Sequence, residues 1–511
     1  MSTASDATSP FGRVAADFSD HPDVEAGLRA AIGNAYLGLQ LPEAEPHLEA
    51  AYQIRKTIFR EPHQDLADSL HELAVMNYQK GDLAKAENLA RQSLHMQEKL
   101  TGEINGRYAS ILDDLAVVVR TSGDLERAEP LYKRALALNR HLFGPSNSRT
   151  AQTLNNYAVL LKLRGELDRA ETMYREAIEI DRRSGDNHHH LATAQNNLAA
   201  LLHARGDYRN AEPLYREALD IQRRLLGNNH PATALTENNL AMLLLSLANY
   251  EEAEENFRHS IKASRAHLGR NHPQYATATY NLGTLYQQLG KYNFAEPLYV
   301  QAHKIRLSAF GDQHPDVATS LHGLGSLAIN LERFDDAERD LQAALALRRK
   351  LFPNDHCVTA ATLDQLAKLE LARNDLKKAE AYARESKLIR DRLLGDHHPD
   401  VAAAEARLGS ILAAEGENDE ARQLLNSALE RLQRRFGASH PALMPALEDL
   451  GKLSAESGEI VTARKCLERA LTIGRHILGT AHPDVRRIRK LLEELDSDST
   501  PANRSTTQSA S

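Results

Sequence analysis

The sequence predicts an all-α array of repeated helix pairs, and three observations lead to that prediction. A glycine recurs every 42 residues along nearly the whole chain, with one interval of 41. Within each period, apolar residues such as Leu198, Ala199 and Leu202 follow helical spacing. Glycine ends one helix and proline begins the next, as at Gly227 and Pro231, because glycine accepts a left-handed cap and proline lacks an N–H that the first helical turn leaves unpaired. A regular period of this kind favours one elongated array over several globular domains.

The repeat boundaries divide the chain into four parts. We expect residues 1–20 to be a disordered leader and residues 21–481 to form eleven 42-residue repeats. A helix over residues 482–495 should close the array, and residues 496–511 should form a disordered tail, since they are polar and have no period. Ten histidines lie three residues after the slot of the closing glycine, at His21, His63, His188, His230, His272, His314, His356, His398, His440 and His482. This slot marks the start of each repeat.

Composition and charge exclude several classes of protein. The net charge is −8 over 511 residues, with both signs mixed throughout, which argues against a broad nucleic-acid surface. The two cysteines, Cys357 and Cys466, fall in different repeats, so they predict neither a disulfide framework nor a cysteine-rich metal site. No run approaches the roughly 18 apolar residues of a membrane span. We therefore expect a cytoplasmic protein that does not enter the membrane.

Small residues hold fixed places inside each repeat. An Ala-Glu pair recurs at the start of the second helix, as at Ala211 and Glu212, and an aromatic residue such as Tyr215 often follows four residues after the alanine. Small side chains at fixed helix positions let neighbouring helices approach closely, and the aromatic rings should fill the adjoining holes. A proline follows the Ala-Glu pair at Pro46, Pro130, Pro213 and Pro297. It should cost a backbone hydrogen bond unless the helix begins late, and the sequence leaves both possibilities open.

The spacing of Leu/Ala, Gly, Ala, Tyr and Ala resembles that of the tetratricopeptide repeat. The 42-residue period and the phrases NNLA, GDY, AEPLY, REALDI and LGNNHP are similar to the repeats of kinesin light chains. The resemblance covers roughly residues 21–494 and implies a right-handed superhelical solenoid with a concave groove. It is less informative about biological role. Kinesin light chains also carry an amino-terminal heptad coiled coil that joins the motor; the first twenty residues here have no heptad pattern, so motor attachment is not expected.

A helical projection of each first helix predicts which residues line the groove. With the Leu of NNLA as position 7, positions 4, 7, 8 and 11 point into the stack, and positions 2, 6, 9 and 13 lie on the opposite side. Position 6 is asparagine in four consecutive repeats, at Asn156, Asn197, Asn239 and Asn281. An amide offers donors and an acceptor, so this row could bind the backbone of an extended peptide. In the resembled family the matching asparagines hold bound peptide. Other expected groove residues are Gln152, Thr193, Thr277, Met242 and Gln288.

Two further expectations concern this row. The asparagines could instead hydrogen-bond a neighbouring helix, and the sequence leaves that alternative open. The groove should also be polarised: Asp68, Glu72 and Asp114 are acidic at the early end, whereas Lys368, Arg407 and Lys452 are basic at the late end.

Other functional classes find little support in the sequence. His188–His190 and His397–His398 suggest metal binding, but the recurring histidines belong to connectors a full repeat apart, so we expect no metal and no cofactor. No nucleophilic triad, phosphate loop or metalloprotease motif occurs, and we expect no enzyme. Some helical repeats read RNA, but they use a basic groove.

We therefore expect a protein-interaction scaffold that binds a peptide or partner protein in the groove. The alternative is an assembly or sensor arm that contacts partners through its ends or its convex face.

Overall fold

A computed structural model of the protein describes residues 18, 20–38, 43–60, 62–185, 188–396 and 398–498. In that part of the chain there are 23 α-helices, one short 3₁₀ helix at Pro441–Leu443 and no strand. The predicted all-α repeat fold is confirmed, with odd-numbered helices as the first and even-numbered helices as the second member of each pair.

The chain divides into two compact units, Met1–Leu201 and Leu202–Ser511. The first unit contains α1 (Pro22–Gly38), α2 (Ala44–Ile58), α3 (Gln64–Gln79), α4 (Leu83–Thr101), α5 (Gly106–Thr121), α6 (Leu125–Phe143), α7 (Ser148–Leu163), α8 (Leu167–Ser184) and most of α9 (His188–Ala204).

The second unit begins at the end of α9. It contains α10 (Tyr208–Leu226), α11 (Pro231–Ser246), α12 (Tyr250–Leu268), α13 (Pro273–Gln288), α14 (Tyr292–Phe310), α15 (Pro315–Asn330), α16 (Phe334–Leu351), α17 (Cys357–Ala372), α18 (Leu376–Leu394), α19 (Pro399–Glu415), α20 (Asn418–Phe436), α21 (Met444–Glu456), α22 (Ile460–Ile477) and α23 (Pro483–Asp498).

Eight of the ten connector histidines form N-caps at the start of a repeat. In His230, for example, Nδ1 accepts a hydrogen bond of 3.1 Å from the backbone N–H of Ala232. The same bond forms at His63, His272, His314, His356, His398, His440 and His482. Repeats three and four carry Asn105 and Asn147 in this slot, and both also cap through the side chain. The slot therefore requires a side-chain acceptor for an N–H that the first helical turn leaves unpaired.

The small residues pack as their spacing predicts. The alanine of the Ala-Glu pair is at most 2 % exposed in every repeat from Ala44 to Ala379, and Tyr132, Tyr174 and Tyr215 are fully buried beside it. At Gly325 of α15, an added Cβ would lie 2.7 Å from the Leu341 side chain of α16. The two helices of this pair thus approach closer than a methyl group allows.

At the helix ends the structure answers one question that the sequence leaves open and corrects one expectation. Pro130 lies inside α6, which begins five residues earlier at Leu125, and Pro213 and Pro297 are placed the same way. These three helices do not begin late, so each of these prolines removes one backbone hydrogen bond; Pro46, by contrast, lies in the first turn of α2, which begins at Ala44. The closing helix α23 runs to Asp498, three residues beyond the expected end, so residues 496–498 are helical. Residues 1–17 and 499–511, which include most of the expected leader and tail, lie outside the described residues.

Candidate functional site

The first helices bury one side and leave the opposite side partly exposed, as the helical projection predicts. In α11, positions 4, 7, 8 and 11 are all buried, whereas Leu235, Asn239, Met242 and Ser246 at positions 2, 6, 9 and 13 are partly or fully exposed. The helices α7 and α9 repeat this pattern in the first unit. We call positions 2, 6, 9 and 13 of the first helices the inner face.

Amide side chains form a ladder along the inner face of the first unit. Nδ2 of Asn197 donates to Oδ1 of Asn155 on the preceding repeat, over 3.0 Å. One repeat earlier, Nδ2 of Asn156 donates to Oδ2 of Asp113, also over 3.0 Å. Each position-6 amide thus bonds the position-5 side chain 42 or 43 residues before it. The sequence left open whether these asparagines bond a neighbouring helix, and for Asn156 and Asn197 the structure shows that they do.

The second unit contains the same bond between Asn281 and Asn238, with an Nδ2 to Oδ1 distance of 3.0 Å. Asn281 is 9 % exposed and is therefore the most buried of the four predicted asparagines, whereas Asn239 is partly exposed. The ladder holds each amide in one orientation, because a buried amide must keep its hydrogen bonds. This constraint applies to Asn281 most strongly.

The other predicted groove residues also lie on first helices. Thr193 and Met242 are partly exposed, and the hydroxyl of Thr193 bonds the carbonyl oxygen of His189 within its own helix. Thr277 accepts a long hydrogen bond of 3.4 Å from Arg306. Gln288 is exposed at the end of α13.

Gln152 lines a cavity of about 390 Å³ in the first unit, and four carboxylates lie around that cavity. We call it the acidic cavity; its charged lining residues are Asp68, His71, Glu72, Arg107, Asp113, Asp114 and Arg149. They come from α3, α5 and α7: Asp68 is at position 2, His71 and Asp113 are at position 5, Glu72 and Asp114 are at position 6, and Arg107 and Arg149 lie at the amino ends of α5 and α7. The acidic early end that the sequence predicts is therefore a defined cavity.

The carboxylates of the acidic cavity differ in their ion-pair and hydrogen-bond partners. Asp114 pairs with His71 at 2.7 Å, and Asp68 lies 3.5 Å from Arg107. Asp113 is 4 % exposed; its Oδ2 accepts the bond from Asn156, but its Oδ1 has no hydrogen-bond partner. Oε2 of Glu72 also lacks a hydrogen bond and lies 3.9 Å from Arg55.

Burial and charge shift the pKa values of these groups. Burial, together with the neighbouring charge of Asp114, raises the pKa of Asp113 to about 7, although the Asn156 hydrogen bond and Arg120 oppose this change. Burial also raises the pKa of Glu72. For His71, burial lowers the pKa, but the hydrogen bond and charge of Asp114 outweigh it, so that the net pKa is raised. The cavity therefore holds a carboxylate, Asp113, that changes charge near neutral pH.

A second cavity, of about 430 Å³, lies on the inner face of the second unit. It is lined by Thr284, Gln288, Gly323, Gln365 and Lys368, among others. Burial lowers the pKa of Lys368 to about 8, and its ammonium donates to Asn330 over 2.7 Å.

The predicted positive late end is weaker than the sequence suggests. The ammonium of Lys452 is 2.8 Å from Glu448 and 3.3 Å from Asp449, and Arg487 also pairs with Glu448. These carboxylates offset much of the local positive charge. Position spacing identified the basic residues, but it did not reveal the partners that neutralise them.

The connectors of the last repeats make contacts within the second unit that the period does not predict. Nε2 of His398 bonds the carbonyl oxygen of Ala204 at 2.9 Å, and His482 bonds that of Gln288 at the same distance. His440 makes the equivalent bond to Ser246 at 3.1 Å. Each pair is separated by 194 residues, which is not a multiple of the repeat length. These three histidines therefore cap their own helix with Nδ1 and bind an earlier repeat with Nε2.

Metal-binding and membrane-spanning features can be judged only for the described part of the chain. There, no group of three or more His, Cys, Asp or Glu side chains is placed to hold a metal ion. No described helix combines the length and apolar character needed to cross a membrane. His397 lies outside the described residues, as does the side chain of His188.

Sequence reasoning missed the position-5 side chains and the contacts of the connectors. The doubled asparagines Asn155-Asn156 and Asn238-Asn239 could have indicated the position-5 contacts, since an amide at position 6 of one repeat can bond an amide at position 5 of the preceding repeat. Nothing in the sequence indicates the contacts of the connectors with earlier repeats. Asp113 was missed because position 5 was not assigned to the inner face.

Comparison with known proteins agrees with the repeat geometry. The tetratricopeptide repeat family matches residues 26–99, 107–183, 190–266, 234–308, 274–350, 316–387, 358–434 and 400–475. A comparison with curated proteins gave no match.

Similar solved structures include BtubC (BKLC) from P. vanneervenii, with 28% identity over 45% of this chain and 92% of that chain, at a TM-score of 0.37. A putative kinesin light chain from Podosopora anserina, with nearly identical TPR-like repeats, is 21% identical over 40% of this chain and 97% of its own, at a TM-score of 0.33. A Rap protein complexed with Competence and Sporulation Factor is 18% identical over 73% of this chain and 99% of its own, at a TM-score of 0.48. The resemblance inferred from the repeats is confirmed: the chain belongs to the tetratricopeptide repeat family.

Proposed function

We propose that this protein is a non-enzymatic interaction scaffold whose inner face binds an extended segment of a partner protein. Each unit carries its own stretch of this face. Asn156 and Asn197 bind the backbone of the segment in the first unit, and Asn239 does so in the second. Asn281 acts mainly through the ladder, because it is buried.

The observation that carries this proposal is the orientation of partly exposed amides by the ladder. An amide NH₂ group has two N–H donors, and the ladder bonds of Asn156 and Asn197 each use one of them. Because these side chains are already fixed, binding costs little additional side-chain entropy. An extended peptide presents N–H and C=O groups at regular intervals along its length. Oriented neutral amides can therefore bind its backbone without selecting its side chains.

The test is a calorimetric titration with the capped heptapeptide Ac-Ser-Ala-Ser-Arg-Ser-Ala-Ser-NH₂. The double variant Asn156→Ala, Asn197→Ala, both in the first unit, should bind it roughly 30-fold more weakly, since each lost hydrogen bond contributes roughly 1 kcal/mol. The matched control is Asn210→Ala, which removes an exposed amide from the second helix α10 and should leave affinity unchanged.

A second probe isolates the backbone contribution. A heptapeptide of the same sequence with N-methylated central amides cannot donate hydrogen bonds from these positions. Wild-type protein should bind it more weakly than the parent peptide, because the amide oxygens of Asn156 and Asn197 lose their N–H donors, whereas the free amide N–H groups can still bond the peptide carbonyls. Unchanged affinity of the double variant, with helicity intact by circular dichroism, would contradict the proposal.

A further inference from the structure

We propose that the acidic cavity of the first unit receives an arginine side chain of the bound segment. This inference rests on the proposed function, because it assigns a specificity site beside the amides of the inner face. The link is direct: Asn156 bonds Asp113, which itself lines the cavity.

The balance of charge in the cavity favours a cation. Four carboxylates line it, whereas its cationic groups are Arg107, Arg149 and His71. Each of these is already engaged: His71 pairs with Asp114, Arg107 lies 3.5 Å from Asp68, and the guanidinium of Arg149 lies over the ring of Phe143, 4.5 Å from its centroid. An additional cation would therefore reduce repulsion among the carboxylates.

The buried carboxylate of Asp113 is the second, independent observation. Its side chain is 96 % buried, since 4 % is exposed, yet Oδ1 has no hydrogen-bond partner. A buried polar atom without a partner costs free energy, and a native protein seldom leaves one without a reason. Glu72, across the same cavity, has a similarly unbonded oxygen. Neither oxygen is exposed to solvent before binding, so a donor brought by a ligand would reach them after a small rotation of each carboxylate.

The wide spacing of the carboxylate groups in the acidic cavity favours a guanidinium over a metal ion as the bound cation. Among the described residues, no three acidic or histidine side chains converge closely enough to coordinate a metal. A guanidinium carries five N–H donors in one plane and can reach acceptors that are too far apart for a single coordination sphere. The cavity volume of about 390 Å³ falls within the range of roughly 300–1,000 Å³ typical of ligand sites. A lysine ammonium would enter but could satisfy fewer of these oxygens.

Binding of a cation should also be linked to pH. A guanidinium near Asp113 favours its ionised form, so binding should release a proton and strengthen as pH rises from 6 to 8. The charged and titratable groups around Asp113 come from four helices: Asp68, His71 and Glu72 on α3, Arg107, Asp114 and Arg120 on α5, Tyr132 on α6, and Arg149 on α7. Binding of a cation would also favour release of a proton from His71. Only the comparison with an Asp113 variant therefore isolates the contribution of Asp113.

The test compares four capped heptapeptides, Ac-Ser-Ala-Ser-Xaa-Ser-Ala-Ser-NH₂, with Arg, citrulline, Lys or Glu at the centre. Citrulline has nearly the shape of arginine but no charge. Wild-type protein should bind the Arg peptide about tenfold more tightly than the citrulline peptide, with Lys between them and Glu weakest.

The first variant is Asp113→Asn, which the fold should tolerate. The next repeat carries Asn155 in this position, and it accepts the same ladder bond at the same 3.0 Å distance. The variant should lose most of the preference for Arg over citrulline and show a weaker pH dependence of binding. Asp68→Asn, at the more exposed edge of the cavity, should reduce the preference independently. The control Glu255→Gln removes an exposed charge from α12 and should change neither.

The outcomes separate this inference from the proposed function. Equal binding of the Arg and citrulline peptides by wild-type protein overturns the arginine site; if N-methylation still weakens both, the amide contacts stand. A preference for Arg that persists in both Asp variants, or that is lost equally in Glu255→Gln, also overturns the site. A preference for Arg that depends on Asp113, together with affinities that peptide N-methylation leaves unchanged, supports the cavity and contradicts the amide contacts.

Discussion

Replacing Asp113 by asparagine should stabilise the protein at neutral and alkaline pH. Burial and the charge of Asp114 raise the pKa of Asp113 from 3.8 to about 7 in the folded state. The folded protein therefore holds a proton that the unfolded chain has already released, and stability falls as pH rises from about 4 to about 7. The difference of about 3 pKa units corresponds to a destabilisation on the order of 4 kcal/mol above pH 7. Asn cannot ionise, so Asp113→Asn removes this penalty.

The magnitude can be measured by urea denaturation of wild type and variant at several pH values from 4 to 8. The variant should be more stable at pH 8, on the order of 2–4 kcal/mol, and the difference should shrink towards pH 4. Because repeat arrays can unfold in parts, hydrogen exchange in α5 and α7 should locate the gain. Glu255→Gln controls for a change in net charge. A variant that is less stable at pH 8, or a difference that does not vary with pH, would refute the reasoning.

Three further predictions concern the repeat architecture. Ala248 has φ 60° in a turn where most repeats have glycine, so Ala248→Gly should raise stability, whereas Gly458→Ala (φ 78°) should lower it by about 1 kcal/mol in thermal or urea unfolding. Burial lowers the pKa of His440, so its contribution to stability is complete above about pH 6.5 and is lost as pH falls; His440→Asn should reduce this acid dependence of urea midpoints, and an unchanged dependence would contradict it. Gly325→Ala should destabilise by about 1–3 kcal/mol through a clash with Leu341, and a variant of wild-type thermal stability would show that the helices separate at little cost.

Much of the candidate site could be predicted because its residues share one helical period. Asn197 and Met242 fall on the inner face since side chains at fixed positions of an α-helix keep a fixed direction. The period also identified the acidic residues Asp68, Glu72 and Asp114, and the structure places all three on one cavity. Their use as a binding site stays a prediction.

Other parts of the site depend on neighbours that no single repeat specifies. The ladder between Asn197 and Asn155 depends on the offset between two helices, which decides whether position 6 meets position 5 of the preceding repeat. The sequence identifies Lys452 as a basic residue of the late end, but only the structure shows that Glu448 and Asp449 pair with it.

The sequence by itself determined the helices, their pairing and the side that each first helix turns away from its neighbours. These features depend on local periodicity, caps and side-chain size, which are encoded within 42 residues. Only the tertiary structure decided that Asp113 is buried beside an open cavity and that His398 bonds Ala204, 194 residues earlier. The physical reason is that small offsets between successive helix pairs accumulate along each unit, and burial, charge partners and long-range contacts depend on their sum.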